Sequence, residues 1–518
     1  MPPPFEPPVV NLAAALPAVL LTAWAMGLLL VDLWIPRERK GLTALLAALG
    51  VLVALVAALA GWNRPAEAFP GTGMFVGDNF TTANTLIVLL AALLAILLSV
   101  AYLRRVGLGR GEFYVLLLFS TAGMILMAAA ADLIMVFLAL ELLSFPLYVM
   151  AGMLRPRLDS EEAALKYFLL GSFSSGFLVY GIALVYGATG STQLSTVVRE
   201  VQALPQGENG FWPVLLAGTA LLLVGFGFKI AAVPFHMWTP DVYQGAPTPV
   251  TAFMSVGAKV GGFAALLRVF LTAFPAIGWT WWPAVAVIAM ATMIVGNVLA
   301  LVQTDLKRLL GYSSIAHAGY ILMAVAAAGA NPANAEPALA AALFYLLAYA
   351  FTNLGAFAVA IAVEVDAPGS APGAPAEAAS GTRVRDLAGL GKTHVGLALA
   401  MSLFMLSLTG VPPTGGFTGK FALFSAAIGA AAAAPGTAVE GWMIALTLVG
   451  VLTSVISAFY YLGVVVTMFM REGEGFATAR GALALAVALT VLGTLWLGLL
   501  PGTVLAQMHD LFMAGLAG

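Results

Sequence analysis

A chain of 518 residues that is 62% hydrophobic, only 9% charged and formally −2 at pH 7 has too little charge to cover a soluble surface. Its composition is that of a polytopic helical membrane protein. With no cysteine, disulfides, thiolate metal sites and iron–sulfur clusters are excluded. The near-zero net charge and the lack of a basic patch give no reason to expect nucleic acid.

The first residues, MPPPFEPPVV, have neither a positive n-region nor a small-residue cleavage site. The first apolar run is therefore expected to act as both targeting signal and first membrane helix. With about 20 apolar residues per crossing, fourteen spans are predicted. They cover 11–34, 42–61, 84–103, 113–130, 132–153, 163–187, 212–235, 249–273, 281–302, 309–328, 338–364, 396–430, 441–470 and 480–500. Only the polar Asp132 separates the fourth from the fifth. The seventh ends at Val233-Pro234, and the twelfth is interrupted at Val411-Pro412-Pro413.

Orientation follows from the loops. One alternate set carries Arg37, Arg39, Lys40, Arg104, Arg105, Arg110, Arg155, Arg157, Lys307, Arg308, Arg383, Arg385, Lys392, Arg471 and Arg480, and the other only Arg64 and Arg199. The bias predicts both termini on the outer (periplasmic) side. The remaining basic residues, Lys166, Lys229, Lys259, Arg268 and Lys420, fall within or at the edges of spans. Arg268 and Lys166 are expected to snorkel to an interface, and Asp132, Asp305 and Lys307 to flank spans at the interface. Lys229, Lys259 and Lys420 have no such outlet. A lysine inside a membrane costs roughly 2.5–3.5 kcal/mol on insertion scales, so a chain that keeps them is expected to use them.

The segment from Glu364 to Thr393, rich in Ala, Pro and Gly, reads as a flexible cytoplasmic linker. Its Gly391-Lys392-Thr393 resembles the tail of a phosphate-binding loop, but Asp386 stands where the first glycine is required and no strand precedes it. Asn79-Phe80-Thr81 is a chance glycosylation sequon.

A weak repeat is visible. YFLLGSFSSG in span six resembles FYLLAYAFTNLG in span eleven, and Val233-Pro234 has its counterpart in Val411-Pro412. An offset of five spans inverts the second copy, and inverted repeats with broken helices place ion sites near the breaks.

Glu141 lies mid-span in DLIMVFLALELLSFPLYVM, with only Ser144 polar within a turn. Burial favours its neutral form unless a cation pairs with it, and likewise for Lys229. A Glu141–Lys229 pair whose members can be drawn together or apart is a workable proton switch. Lys259 in Gly257-Ala-Lys-Val-Gly261, and Lys420 after Gly415-Gly-Phe-Thr-Gly419, have small neighbours that permit close helix packing and would also leave room for water. His317, among Tyr312, Ser313 and Ser314, is a candidate relay. His236, just past the break and near Asp241, is a candidate cytoplasmic entrance. Neither these nor His394 and His509 show metal-site spacing, and His509 near the terminus is expected to be exposed.

GFKIAAVPFHMWTPDVYQGAPTPVTAFMSVGAKVGGFAAL, DLKRLLGYSSIAHAGY and GVPPTGGFTGKFALF resemble the antiporter-like membrane subunits of respiratory complex I, NADH–quinone oxidoreductase. The similarity extends over residues 80 to 500, and the wording is nearer to one branch of that family than to its L and M paralogues. The resemblance implies an all-α fold of about fourteen helices with two inverted five-helix repeats, spans 4–8 and 9–13, and two broken helices, at Pro234 and Pro412. It thereby implies a division into an N-terminal segment 1–112, a first repeat 113–273, a second repeat 281–470 with a cytoplasmic linker at 364–395, and a C-terminal helix and tail, 471–518. It implies a proton-translocating role in which Glu141 matches the glutamate of helix five and Lys229 its lysine partner on helix seven. Lys259, Lys420 and His317 match the positions that continue the polar axis. Lys166 and His236 are carried as supporting residues. It also implies that FMN, iron–sulfur clusters and quinone chemistry reside in partner subunits, with subunit M, small membrane subunits and the bilayer as neighbours. The same residues are compatible with a cation/proton antiporter subunit, with a non-pumping structural membrane subunit, or with a pump fed by another donor such as ferredoxin.

Overall fold

The computed structural model describes residues 12–64, 66–67, 73–204, 210–366 and 382–509. It is helical almost throughout. In chain order the helices are α1 (Leu12–Asp32), α2 (Lys40–Ala60), α3 (Asn79–Arg105), α4 (Glu112–Ala129), α5 (Leu133–Ala151), α6 (Leu158–Thr189), α7 (Leu194–Ala203), α8 (Phe211–Lys229), α9 (Trp238–Gly245) and α10 (Thr248–Ala273). They continue as α11 (Gly278–Ala300), α12 (Leu306–Ala330), α13 (Ala335–Asp366), α14 (Leu390–Thr393), α15 (Val395–Thr409), α16 (Gly415–Ala432), α17 (Ala438–Met470), α18 (Ala482–Leu499) and α19 (Gly502–His509). The side chain of His509 lies outside the described residues. One two-residue antiparallel pair, β1 (Ala66–Glu67) with β2 (Val76–Gly77), lies in the α2–α3 loop.

Among the described residues thirteen helices are long and apolar enough to cross a membrane. The span expected at 396–430 is instead two shorter helices, α15 and α16, separated at the predicted interruption. The division at Asp132 holds because its carboxylate caps α5, accepting from the Ile134 amide at 2.8 Å. Asp305 caps α12 in the same way, through Arg308 N at 2.9 Å. Backbone bridges respect the predicted alternation: Phe75 with Ala130 and Asp132 with Gln193 join loops of one set, Asp305 with Arg383 loops of the other.

Both broken crossings end their first half with the same device. After α8, Ala232 N bonds to Gly227 O and Ala231 N to Phe228 O; after α15, Val411 N bonds to Leu406 O and Gly410 N to Ser407 O. These paired bonds close a helix with one residue in the left-handed region. That residue is Gly410 (φ 93°) in one case and Ala231 (φ 61°) in the other. A non-glycine residue held there costs of the order of 1–3 kcal/mol. The seventh crossing thus breaks earlier than predicted. Lys229 is the last residue of α8, and Pro234 and His236 lie in the irregular segment before α9.

α10 is buried along its whole length, and α12 and α13 nearly so, while α2, α6, α17 and α18 present apolar side chains outward. Four expectations are corrected. Arg268 does not snorkel: its side chain is 1% exposed and binds Asp78 through Nη1 at 2.9 Å and Nη2 at 2.8 Å. Lys307 stands at the start of α12 but is enclosed by the protein rather than facing outward, and its ammonium donates to Ala246 O at 2.7 Å. Asp132 and Asp305 are buried too, because capping draws each carboxylate into the helix end. Of the expected flexible linker, residues 367–381 lie outside the described residues. The part that follows is ordered: Leu306 N bonds to Thr382 O, Val384 N to Thr304 O, and a 3-10 turn covers Val384–Leu387.

Candidate functional site

The three lysines predicted to matter sit on α8, α10 and α16, all buried, at 4% exposure or less. α10 is enclosed along its whole length, whereas α8 and α16 are buried on one face and carry Lys229 and Lys420 on it. Lys229 Nζ donates to Ser144 Oγ on α5 at 2.7 Å. Lys259 Nζ donates to the Ser314 carbonyl on α12. Lys420 Nζ donates to Thr409 O at 2.9 Å and to Ser454 Oγ at 2.8 Å. Each ammonium also faces a tyrosine ring: Tyr167 at 5.6 Å, Tyr349 at 5.4 Å and Tyr320 at 4.7 Å respectively. Neutral oxygens and aromatic faces therefore hold all three cations.

Glu141 is placed differently from the expectation of a direct pair. It is half-buried on α5, in line with the outward-facing Ile134, Leu138 and Phe145, and accepts from Ser175 Oγ of α6 at 2.5 Å. Ser144, one turn further along α5, holds Lys229. The serine hydroxyl takes the place the carboxylate was expected to have, and glutamate and lysine stand on either side of one helical turn.

His317, on α12, is buried among hydroxyls, though not those predicted. Nδ1 contacts Tyr345 Oη of α13, and Nε2 lies 3.0 Å from Tyr461 Oη of α17. Its sequence neighbours act through other partners: Ser313 Oγ is 2.5 Å from Tyr461 Oη, and Ser314 Oγ 3.3 Å from Tyr243 Oη. Tyr320 bonds to Thr453 at 3.2 Å and to the Asn297 amide at 3.4 Å, and Tyr460 closes on Asn297 at 3.0 Å.

The glycines beside the lysines admit packing rather than leaving open space. A Cβ on Gly257 would lie 2.8 Å from Met124 Sδ, one on Gly419 2.6 Å from Tyr345 Cδ2, and one on Gly416 1.9 Å from Ser407 O. The carbonyl freed by the second break, Thr409 O, is taken by Lys420 and by Ser454 at 3.0 Å. At the first break Trp238 Nε1 takes Phe228 O at 3.1 Å. Several buried polar atoms along this line have no protein partner: Tyr167 Oη, Thr239 Oγ1, Tyr349 Oη and Asn353 Oδ1. Such atoms are the ones a bridging water satisfies.

At the same end of the bundle as the basic loops, Asp241 of α9 receives Lys166 of α6 and Arg308 of α12, both at 2.6 Å, and Lys166 also pairs with Glu162. Lys166, partly exposed, is therefore an ion-pair member that joins α6 to α9. Burial raises the Asp241 carboxyl, but hydrogen bonds from Lys166 and Arg308 outweigh it and hold it below the usual carboxylate range. His236 is half-exposed with Nδ1 unpartnered. Nearby, Glu364 of α13 accepts from Thr248 Oγ1 at 2.5 Å and Tyr102 Oη at 3.3 Å. His394 contacts Gly475 O at 2.9 Å and none of the three lysines. Among the described residues no His, Asp and Glu cluster is placed to hold a metal ion.

Sequence reasoning missed Ser144, Ser175, Tyr345 and Tyr461. The serines lie within a turn of a predicted charge or in a small-residue run, a signal too common to single them out. The tyrosines come from helices distant in sequence.

Residues 130–470 match the family model described as NADH:quinone oxidoreductase/Mrp antiporter, TM. The chain is 46% identical over 499 residues to NADH-quinone oxidoreductase subunit N of Trichlorobacter lovleyi, with 96% of each chain covered. It superposes on a chain of respiratory complex I from Thermus thermophilus with bound aureothin, with a TM-score of 0.75 and 38% identity, covering 95% of this chain and 98% of that one. A chain of the Mrp complex from a Dietzia species matches with a TM-score of 0.77 at 23% identity, covering 95% and 96%, and speaks for the fold alone.

Proposed function

The chain belongs to the NADH-quinone oxidoreductase subunit N family of antiporter-like membrane proteins, and on that premise we propose that it moves protons across the bilayer through Glu141, Lys229, Lys259, His317 and Lys420. It is a multi-pass membrane protein of a respiratory enzyme complex. In our reading it sits in a prokaryotic inner membrane with both termini outside. Residues 113–273 and 281–470 are the two inverted repeats. NADH, FMN, iron–sulfur and quinone chemistry belong to partner subunits, and its direct neighbours are subunit M and small membrane subunits. This chain's residues take up, hold and release protons.

The observation that carries the proposal is that three buried lysines are each held by neutral oxygens and a tyrosine face. An ammonium solvated this way can lose its proton without leaving a carboxylate unpaired. Glu141, next to Lys229 and on the outward face of α5, supplies a charge whose approach would stabilise the ammonium and whose withdrawal would favour release. Charge arriving from a neighbouring subunit would bias that exchange.

The test uses sealed inverted vesicles carrying Glu141→Gln or Lys229→Ala, with assembly verified on a native gel. NADH-driven quinone reduction and dye-reported proton uptake are recorded together. Both are expected to fall towards background in assembled complex. Wild-type rates with an unchanged ratio would favour a structural subunit, and sodium-dependent uptake an antiporter.

A further inference from the structure

Resting on the axis reading above, we propose that Tyr345 and Tyr461 are relay residues that, with His317 and Ser313, form a four-member stretch of the proton path that lies between Lys420 and Lys259. His317 is fully enclosed, and each ring nitrogen faces one phenol: Nδ1 meets Tyr345 Oη and Nε2 meets Tyr461 Oη. Tyr461 Oη continues to Ser313 Oγ at 2.5 Å. The next residue, Ser314, offers the carbonyl that holds Lys259. At the other end the Tyr345 ring packs on Gly419, the residue before Lys420.

Every member of this chain both donates and accepts. A neutral imidazole has one N–H and one lone pair, and a phenol or serine hydroxyl has one proton and two lone pairs. With Tyr345 donating to Nδ1, Nε2–H donates to Tyr461 Oη and Tyr461 donates to Ser313 Oγ. A proton delivered to Tyr345 Oη from the Lys420 side then forms a new O–H bond as the original Tyr345 proton moves to Nδ1. The Nε2 proton moves to Tyr461, and the Tyr461 proton to Ser313, which gives up its own towards Lys259. One proton enters and one leaves, no member keeps a charge, and the imidazole ends in the other tautomer. The neighbouring Tyr320 branch is different. It runs through Thr453 and the Asn297 amide to Tyr460, and an amide does not pass a proton on, so that branch positions rather than conducts.

The experiment uses vesicles containing the assembled complex with Tyr345→Phe, Tyr461→Phe, both together, Ser313→Ala, Lys420→Ala, and Tyr114→Phe as a control distant from the axis. Proton uptake per NADH and its solvent deuterium isotope effect are measured. Each phenylalanine variant is expected to lower uptake by about three- to tenfold, the weight of one lost hydrogen bond, and to change the isotope effect. The double variant should be no worse than the worse single one, because all interrupt one wire, and Tyr114→Phe should match wild type. If the phenylalanine variants fail to assemble, Ser313→Ala interrupts the same wire with little change in packing, and wild-type uptake there overturns the proposal. Wild-type uptake and isotope effect in Tyr345→Phe and Tyr461→Phe, with uptake lost in Lys420→Ala, would remove the wire and leave the axis standing. Uptake retained in Lys420→Ala would remove the axis itself.

Discussion

Arg268 and Asp78 place opposite charges side by side in the bundle, with side-chain exposures of 1% and 0%. The guanidinium also donates from Nε to Ala128 O at 2.9 Å and from Nη2 to Thr81 Oγ1 at 2.9 Å, over the Phe80 ring. It thereby ties the end of α10 to the start of α3 and the end of α4. Removing one partner of a buried pair strands the other charge and typically costs about 3–5 kcal/mol. Arg268→Met and Asp78→Leu should each lower the thermal midpoint and yield of the assembled complex. The Arg268→Met/Asp78→Leu double variant should recover part of the loss, because it strands neither charge, while the α3 cap that Asp78 makes to Thr81 N at 2.8 Å stays lost. A double-variant loss equal to the sum of the two single losses would show that the pair does not act as a unit. The residue was visible in the sequence, but its partner, 190 positions away, was not.

Among the elements, the second broken crossing makes the tightest demand on backbone space at any described glycine. Gly416 lets the start of α16 lie against the end of α15, where a Cβ would stand 1.9 Å from Ser407 O. That contact is backbone and cannot swing away. Gly416→Ala should therefore prevent normal closure of the break and reduce assembled complex on a native gel, whereas Gly441→Ala, in open space on α17, should not. At the first break, α9 is held to α6 and α12 by Asp241. Because the folded-state carboxyl titrates below its ordinary value, its stabilisation is complete above an unfolded value near pH 3.9 and is lost as pH falls through the lower folded value. Asp241→Asn should lower the thermal midpoint by a constant offset between about pH 5 and 8, and the offset should shrink below about pH 4. A difference that varied across the neutral range would point to another titrating group. The Val-Pro pairs marked both breaks in the sequence. Their onset was not legible, because it is set by paired helix-ending bonds and one left-handed residue, which at Ala231 carries no sequence signal.

For the molecule as a whole, the absence of cysteine makes the predicted orientation directly testable. Single cysteines replacing the exposed Arg155 or Arg385 should react with an impermeant maleimide in inverted vesicles, and one replacing Arg199 only in right-side-out preparations. The reverse pattern would turn the topology over. Composition, run length and loop charge settled the all-helical membrane class and the alternation of crossings, because the energy of placing each segment in lipid depends mainly on its own residues. The same cost singled out Lys229, Lys259, Lys420 and Glu141, since a charge in an apolar run is conspicuous wherever it points. Only the tertiary structure decided what those charges meet: Ser144 rather than Glu141 at Lys229, a helix-end carbonyl at Lys420, and phenols from α13 and α17 at His317. Partner choice inside a bundle is made by which helices pack together. Serine, threonine and tyrosine are ordinary residues in membrane helices until packing brings one within hydrogen-bond reach of a buried cation.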